Sequence, residues 1–310
     1  MSVFGSEEDI PTGINWSEVF RDASVNGVSA LCYEAVRRLP VERQPNVDLL
    51  LRWQLSARSI REQFRYRHDV TRSLFDILNE KGIGTLLLRG ETLACNYPDP
   101  ELRESSLVGF TALTGTRTCD SLLWSHGIAV SSQRNLSSFT YKGVRFENYN
   151  LDESLPLAVR RSDGCLEPDP VTQAVLVVMH IARQVRCSDE RIPLKALLDL
   201  ALLLCHYPDI VESWEPKLRK VRLHRFSRVM LCAINRLFGS EGLPAGISIA
   251  WNRRTMRRAR KFIRIFMTDN NVNARHLARH AFLPPRIWEW LRIMFERDSK
   301  TDGSSAHSGE

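Results

Sequence analysis

The sequence predicts an α/β (α+β) protein: a small mixed sheet flanked by N-terminal and C-terminal helical regions. Three observations predict it. Apolar residues recur at steps of three and four over about residues 46–81, the spacing of a helix with one buried face. Between 82 and 150 the pattern changes to short apolar runs bounded by glycine and turn residues, which is how buried strands read. From Asp169 onward the helical spacing returns. The chain therefore divides into an N-terminal helical region (1–81), an α/β core (82–160), a basic helical domain (161–298) and a disordered tail (299–310).

The elements follow in order. Residues 1–13 read as a loose tail, and Asn15 or Ser17 caps a helix reaching about Leu39, interrupted near Gly27. Pro40 and Pro45 bracket a connection to the long helix 46–81. Its stripe of Leu50, Trp53, Ala57, Ile60, Phe64, Leu74 and Ile77 is a packing face, and Gly82 stops it. Residues 83–88 form the first strand, ended by Arg89-Gly90; 91–95 is a short helix and 97–100 a turn. A second strand spans 106–113, and a helix spans 118–126 before Gly127. Strands 128–131, 137–142 and 144–150 follow, the last two as a hairpin around Lys142-Gly143. Helices are expected at 171–185, 193–206, 214–238, 251–267, 274–281 and 284–297.

Composition narrows the class. At 310 residues, 43% hydrophobic and 25% charged, the chain is neither disordered nor fibrous. No apolar run reaches the roughly 18–20 residues that cross a bilayer. The acidic, polar N-terminus lacks the features of a secretory signal, so a cytoplasmic protein is expected. Seven cysteines, odd in number, widely spaced and without a CxxC, argue for reduced, mostly buried thiols rather than disulfides or a zinc site. His276 and His280 are four apart but have no carboxylate or cysteine beside them, so they read as surface residues of a basic helix and no metal site is assigned.

The net charge of +7 is unevenly spread. Residues 217–297 carry 19 Lys/Arg against 4 Asp/Glu, so the remainder is acidic. The run Arg253, Arg254, Arg257, Arg258, Arg260, Lys261 and Arg264 interleaves with apolar residues as the basic side of an amphipathic helix. Such a surface is either a solvated face or a site for an anionic partner, nucleic acid or an acidic protein. No P-loop, G-x-S-x-G, HExxH or G-x-G-x-x-G is present.

Residues 86–113 read LLLRGETLACNYPDPELRESSLVGFTAL. This stretch resembles the signature segment of the uncharacterised nucleotidyltransferase family common in bacteria, a branch of the minimal nucleotidyltransferase (DNA polymerase β-like) superfamily. That family carries Lys-Gly at a strand end, a short helix, a Tyr-Pro-x-Pro-x-x-Arg turn and then Ser-Gly-Asp-x-Asp on the next strand. Here Arg89-Gly90 stands at Lys-Gly; Leu93-Ala94, Tyr97-Pro98, Pro100 and Arg103 match; and Ser105 stands at the serine. Phe146-Glu147 stands where the family bears a further carboxylate, with Tyr149 at a histidine position, and His180, Lys195 and Asp199 match a later helical segment. The likeness spans about residues 16–204.

The resemblance implies transfer of a nucleotidyl group from a nucleoside triphosphate to a hydroxyl, using Mg²⁺. The chain departs from it at the two aspartates, where Leu107-Val108-Gly109 stands. Side chains at i and i+2 of a strand share a face, so the family's pair grips a metal that bridges triphosphate oxygens. Leu107 and Gly109 bring no ligand atom, and Glu147 is the residual carboxylate of the set. Asp99, Glu101 and Glu104 lack the i, i+2 relation, and Asp120 is read as facing solvent.

The remaining candidates each have two readings. Arg89 contacts a phosphate or pairs with Glu91 or Glu147, and Gly90 admits a close backbone approach or merely a tight turn. Ser105 and Ser106 offer donors to a nucleotide or cap a turn. Arg103 orders the proline-rich turn by pairing with Asp99. Glu147 is a site carboxylate or an exposed edge-strand residue, and His180 a satisfied core histidine. Lys195 and Asp199 join the core to the helical domain. The expectation is a degenerate family member, a pseudoenzyme binding a nucleotide or anionic partner without a cofactor. The alternatives are an active nucleotidyltransferase, which would need Mg²⁺, and a nucleic-acid-binding protein acting through Arg253, Arg254, Arg257, Arg258 and Lys261.

Overall fold

The computed structural model describes residues 13–133, 136–150, 159–162, 165–187, 191–239, 243 and 252–268. The N-terminal region is helical: α1 (Trp16–Val25), α2 (Ser29–Val36) and α3 (Val47–Glu80). Asn15 caps α1 by accepting from the Glu18 N–H, and Asn46 caps α3 by accepting from the Leu49 N–H. These bonds satisfy amides that have no partner inside the helix. The N-terminal half of α3 packs Trp53 and Ala57 against α1 and α2, and its C-terminal half turns Val70, Leu74, Phe75 and Leu78 onto the sheet.

The sheet comprises β1 (Thr85–Arg89), β2 (Leu107–Ala112), β3 (Val130–Gln133), β4 (Leu136–Tyr141), β5 (Val144–Tyr149), β6 (Val159–Ser162) and β7 (Cys165–Pro168). Its order is β3-β4-β5-β2-β1-β7-β6. It is mixed: β2 runs parallel to β5 and β1 parallel to β7, and the other pairs are antiparallel. The short helix α4 (Glu91–Ala94) follows β1, and α5 (Thr116–Ser125) follows β2. The β4–β5 hairpin turns at Lys142 and Gly143, both at positive φ, the two-residue turn that suits the twist of paired strands. Strands β6 and β7 were not expected from the sequence, and the sheet continues past residue 160 to Pro168.

One face of the sheet is apolar. Leu87, Val108, Phe110, Ala112, Phe139 and Phe146 meet α3 and α5 there, and four rings interlock, with Phe110 against Phe75, Phe139 and Phe146. The opposite face carries Leu86, Leu88 and Tyr149, with Leu176 packed against them.

Leu176 belongs to α6 (Pro170–Cys187), the first helix of the C-terminal assembly, followed by α7 (Leu194–His206), α8 (Ile210–Lys220), α9 (His224–Phe238) and α10 (Arg253–Phe262). Their inner faces form the largest apolar cluster of the described residues. The single helix expected over 214–238 is two helices. The chain turns at Arg222, at positive φ, and the Leu223 N–H closes the end of α8 on the Leu218 carbonyl. Buried Leu218, Val221 and Leu223 pull that turn inward. The expected helix over 251–267 is α10 followed by a π-turn, Ile263–Thr268. The helices expected at 274–281 and 284–297, with His276 and His280, lie outside the described residues, as do the loose N-terminal tail up to residue 12 and the tail 299–310. Among the described residues, no helix is long and apolar enough to cross a membrane.

Candidate functional site

A cleft of about 660 Å³ opens where the far face of the sheet meets α6 and α7. The ends of β1, β2 and β5 form its floor, and β2 and β5 run in register so that Leu107 pairs with Arg145 and Gly109 with Glu147. Alternation turns Val108 and Phe110 to the apolar face, leaving Leu107 and Gly109 toward the cleft. The same rule puts Arg145, Glu147 and Tyr149 on the cleft side of β5, where all three line it. Glu147 is 7% exposed on an interior strand, so of its two readings the exposed edge-strand one does not hold.

Arg89 reaches this floor through an irregularity. Strict alternation would send it to the face of Leu87, into the phenylalanine cluster. The pairing of β1 with β2 slips between Leu87 and Arg89, a bulge that re-aims a side chain, and Arg89 emerges in the cleft. It donates from Nη2 to Glu147 Oε2 at 2.7 Å and to the Tyr149 hydroxyl, and from Nη1 to His180 Nδ1 at 2.6 Å. Its guanidinium lies over the Tyr149 ring, 5.0 Å from the centroid. Tyr149 in turn donates to Glu147 Oε2, and Arg145 donates to Glu147 Oε1 at 3.2 Å. Both Glu147 oxygens are therefore held by protein donors.

The side chain of Arg89 crosses Gly109. A Cβ at Gly109 would stand 2.8 Å from Arg89 Cγ and 2.9 Å from its Nε, closer than side-chain atoms tolerate. The glycine is the passage by which the guanidinium reaches Glu147. Gly90, at φ +101, makes the turn from β1 into α4 with Leu107 O 3.5 Å from the place a Cβ would take, so its requirement is backbone conformation. The Ser105 hydroxyl donates to Leu107 O at 2.9 Å, and the Ser105 carbonyl accepts from Arg67, so this serine braces the turn. Ser106 is exposed at the rim.

The far wall is a buried clamp. Arg103 donates from Nε and Nη2 to the two carboxylate oxygens of Asp199, both at 2.8 Å, and Tyr97 donates to Asp199 Oδ1 at 2.8 Å. This corrects the expected Arg103–Asp99 pairing: Asp99 pairs with Arg61 on α3 and caps the 3₁₀ turn Pro100–Leu102 by accepting from the Glu101 N–H. Lys195, one turn before Asp199 on α7, donates to Glu104 O at 2.8 Å, and the Glu104 carboxylate accepts from the Ser29 N–H at 2.7 Å. Lys195 and Asp199 thus tie α7 to the segment before β2. Asp120 likewise does not simply face water; it accepts from Ser132 and Ser137, stitching α5 to β3 and β4.

The electrostatics follow from this crowding. Burial and the adjacent Arg89 hold His180 well below the usual imidazole range, so it accepts from Arg89 as a neutral ring. Burial, and then Arg103, push the Lys195 amine down to about 8. Burial raises the Tyr149 phenol to about 12. Burial also works against the charge on Arg103, but the Asp199 carboxylate outweighs it and holds the guanidinium above its ordinary value. Among the described residues, no group of three or more His, Cys, Asp or Glu side chains gathers as metal ligands.

Comparison with known families decides what scaffold this is. The family model described as uncharacterised nucleotidyltransferase matches residues 12–239. The chain belongs to this family. No curated protein and no solved structure matches it significantly. Membership of the nucleotidyltransferase family covers β1 to β7 and α1 to α9, and α10 lies beyond the matched residues. Of the residues singled out in the sequence, Arg89, Gly90, Ser105, Ser106 and Glu147 meet at this cleft, whereas Arg253, Arg254, Arg257, Arg258 and Lys261 do not line it. Sequence reasoning missed Tyr149 as the hub joining Arg89 to Glu147, although its i+2 spacing from Glu147 on a strand was the available signal.

Proposed function

We propose that this family member has given up metal-dependent nucleotidyl transfer and uses its cleft to bind a nucleotide, or another ligand bearing phosphate, without a divalent cation. The observation that carries this reading is the Arg89 guanidinium, laid across Gly109 and paired with Glu147. The donor set does not fit Mg²⁺, which takes oxygen ligands in near-ideal octahedral geometry. Leu107 offers no oxygen, the space a side chain at Gly109 would occupy holds Arg89, and Glu147 is already bound on both oxygens. Loss of a metal clamp on a transferring phosphoryl group removes several kcal/mol of transition-state stabilisation.

The substitution replaces one kind of positive charge with another. A tethered guanidinium presents planar donors that suit phosphate oxygens. The cleft is lined by Arg89, Arg103, Arg145, Arg183 and Lys195 against Glu147 and Asp199, so its walls favour an anion.

Titration calorimetry with ATP, GTP, CTP and UTP, in EDTA and again in Mg²⁺, tests the reading. Binding of at least one nucleotide, unchanged by EDTA and without transfer of a radiolabelled NMP, is the expected result. Because Lys195 sits near 8, binding of an anion beside it takes up a proton at pH 8, seen as a dependence of the heat on the buffer's ionisation enthalpy. Glu147→Gln removes a negative charge from the cleft and tightens binding, by roughly two- to tenfold. Chelator-sensitive labelling of an acceptor, abolished by the same substitution, overturns the proposal.

A further inference from the structure

We infer that the surface built by α9 and α10 binds the phosphate backbone of a nucleic acid. This inference does not rest on the cleft; it rests on a second collection of charge. Ala259 and Phe262 of α10 are buried with Phe226, Val229, Met230 and Ala233 of α9 in one apolar cluster, and the Phe226 and Phe262 rings meet edge to face at 6.1 Å. Docking of that stripe fixes which side of α10 faces outward. Every exposed residue of α10 is Arg or Lys: Arg253, Arg254, Arg257, Arg260 and Lys261. The exposed Arg225, Arg228 and Arg236 of α9 add to the same pair of helices.

No Asp or Glu occurs between His224 and Phe238 or between Asn252 and Met267. The helices bring the cations within electrostatic reach of one another. Burial, then Arg254 and Arg225, draw Arg258 below its ordinary value, and Arg225 acts on His224 in the same direction. Several arginines elsewhere among the described residues are answered by carboxylates, Arg61 by Glu34 and Asp99, Arg65 by Glu101, Arg103 by Asp199. Gathering like charges along one helix costs stability, and a single-sign patch attracts a polyanion. α10 lies outside the residues matched by the family and packs on α9, the last helix within them.

The chemistry favours nucleic acid over an acidic protein. Protein interfaces centre on buried aromatic or aliphatic anchors, and the exposed side of α10 offers none. Arginines recurring every three to four residues, with Cβ atoms about 5–6 Å apart, present guanidiniums to closely spaced phosphates, which arginine grips in bidentate fashion.

Fluorescence anisotropy with a labelled mixed-sequence 20-nucleotide single-stranded RNA tests the assignment on the full chain. Affinity should fall with salt along a log–log slope of about −2 to −4, the release expected for three to six neutralised phosphates. The triple variant Arg254→Glu, Arg257→Glu, Arg260→Glu should bind at least about tenfold more weakly. Circular dichroism reports whether it folds, and the milder Arg→Gln set decides should it not. Absent or salt-insensitive RNA binding by the wild type, unchanged binding by a folded variant, or equally tight binding of a polyglutamate of matched charge overturns the inference.

Discussion

Arg103–Asp199 and Arg89–Glu147 are both arginine–carboxylate pairs, both line the cleft, and both use residues from the segment that resembles the family signature. They differ in what they hold. Arg103 and Asp199 are each 6% exposed, bidentate and joined by Tyr97, and they bind the turn before β2 to α7 across 96 positions of sequence. Arg89 is 22% exposed, enters by a bulge, and fills the space a side chain at Gly109 would take. The residues that match the family pattern, Tyr97, Arg103 and Asp199, do structural work. The positions that depart from it, Leu107 and Gly109, are those at which the resemblance implies a metal-binding pair. A motif match of this kind therefore establishes a scaffold and leaves its reaction to be settled by the residues on the strand faces.

Substitutions at three positions break or sharpen that contrast. The largest effect belongs to the clamp. Asp199→Ala strands Arg103 as an uncompensated buried charge and should cost about 3–5 kcal/mol in urea or thermal unfolding, while Asp199→Asn, which keeps an acceptor for Tyr97, should cost less. A loss below about 1 kcal/mol would make the two pairs alike.

At the floor of the cleft, Gly109→Ala drives a Cβ into the Arg89 side chain. We expect a cost of about 1–3 kcal/mol and release of His180 from its cationic neighbour, read as a rise in its imidazole pKa by NMR titration. An unmoved His180 would mean that Gly109 is not the passage described.

The smallest effect is one of pH. Lys195 falls from its ordinary 10.5 to about 8 in the fold. Below pH 8 both folded and unfolded chains carry the proton, and the fold bears the full penalty. Between 8 and 10.5 the unfolded chain binds more protons, so this group's contribution to stability rises with pH. Lys195→Met should flatten that segment of the stability–pH curve, and an unchanged slope would contradict the burial of Lys195 beside Arg103 and the Glu104 carbonyl.

Much of this was legible in the sequence, for local reasons. The α3 helix announced itself by period and caps, and the β4–β5 hairpin by Lys142-Gly143. That Leu107 and Gly109 share a strand face followed from the alternation of a strand. What was not legible depended on distant partners. The burial of Glu147 follows from β5 lying between β4 and β2, an order no local pattern encodes. Arg103 found Asp199 rather than the nearby Asp99 because α7 closes over the turn. β6 and β7 are four residues each, too short for periodicity to speak. The break at Arg222 carries neither glycine nor proline and is imposed by the packing of Leu218 and Leu223.

The slip between Leu87 and Arg89 has a consequence for how this segment tolerates change. Paired without the slip at its present length, the strand would carry a guanidinium among the rings of Phe75, Phe110, Phe139 and Phe146, whereas loss of Leu88 would remove the slip and leave the arginine opposite Gly109. This segment should therefore tolerate the loss of one residue better than a change that straightens it at full length.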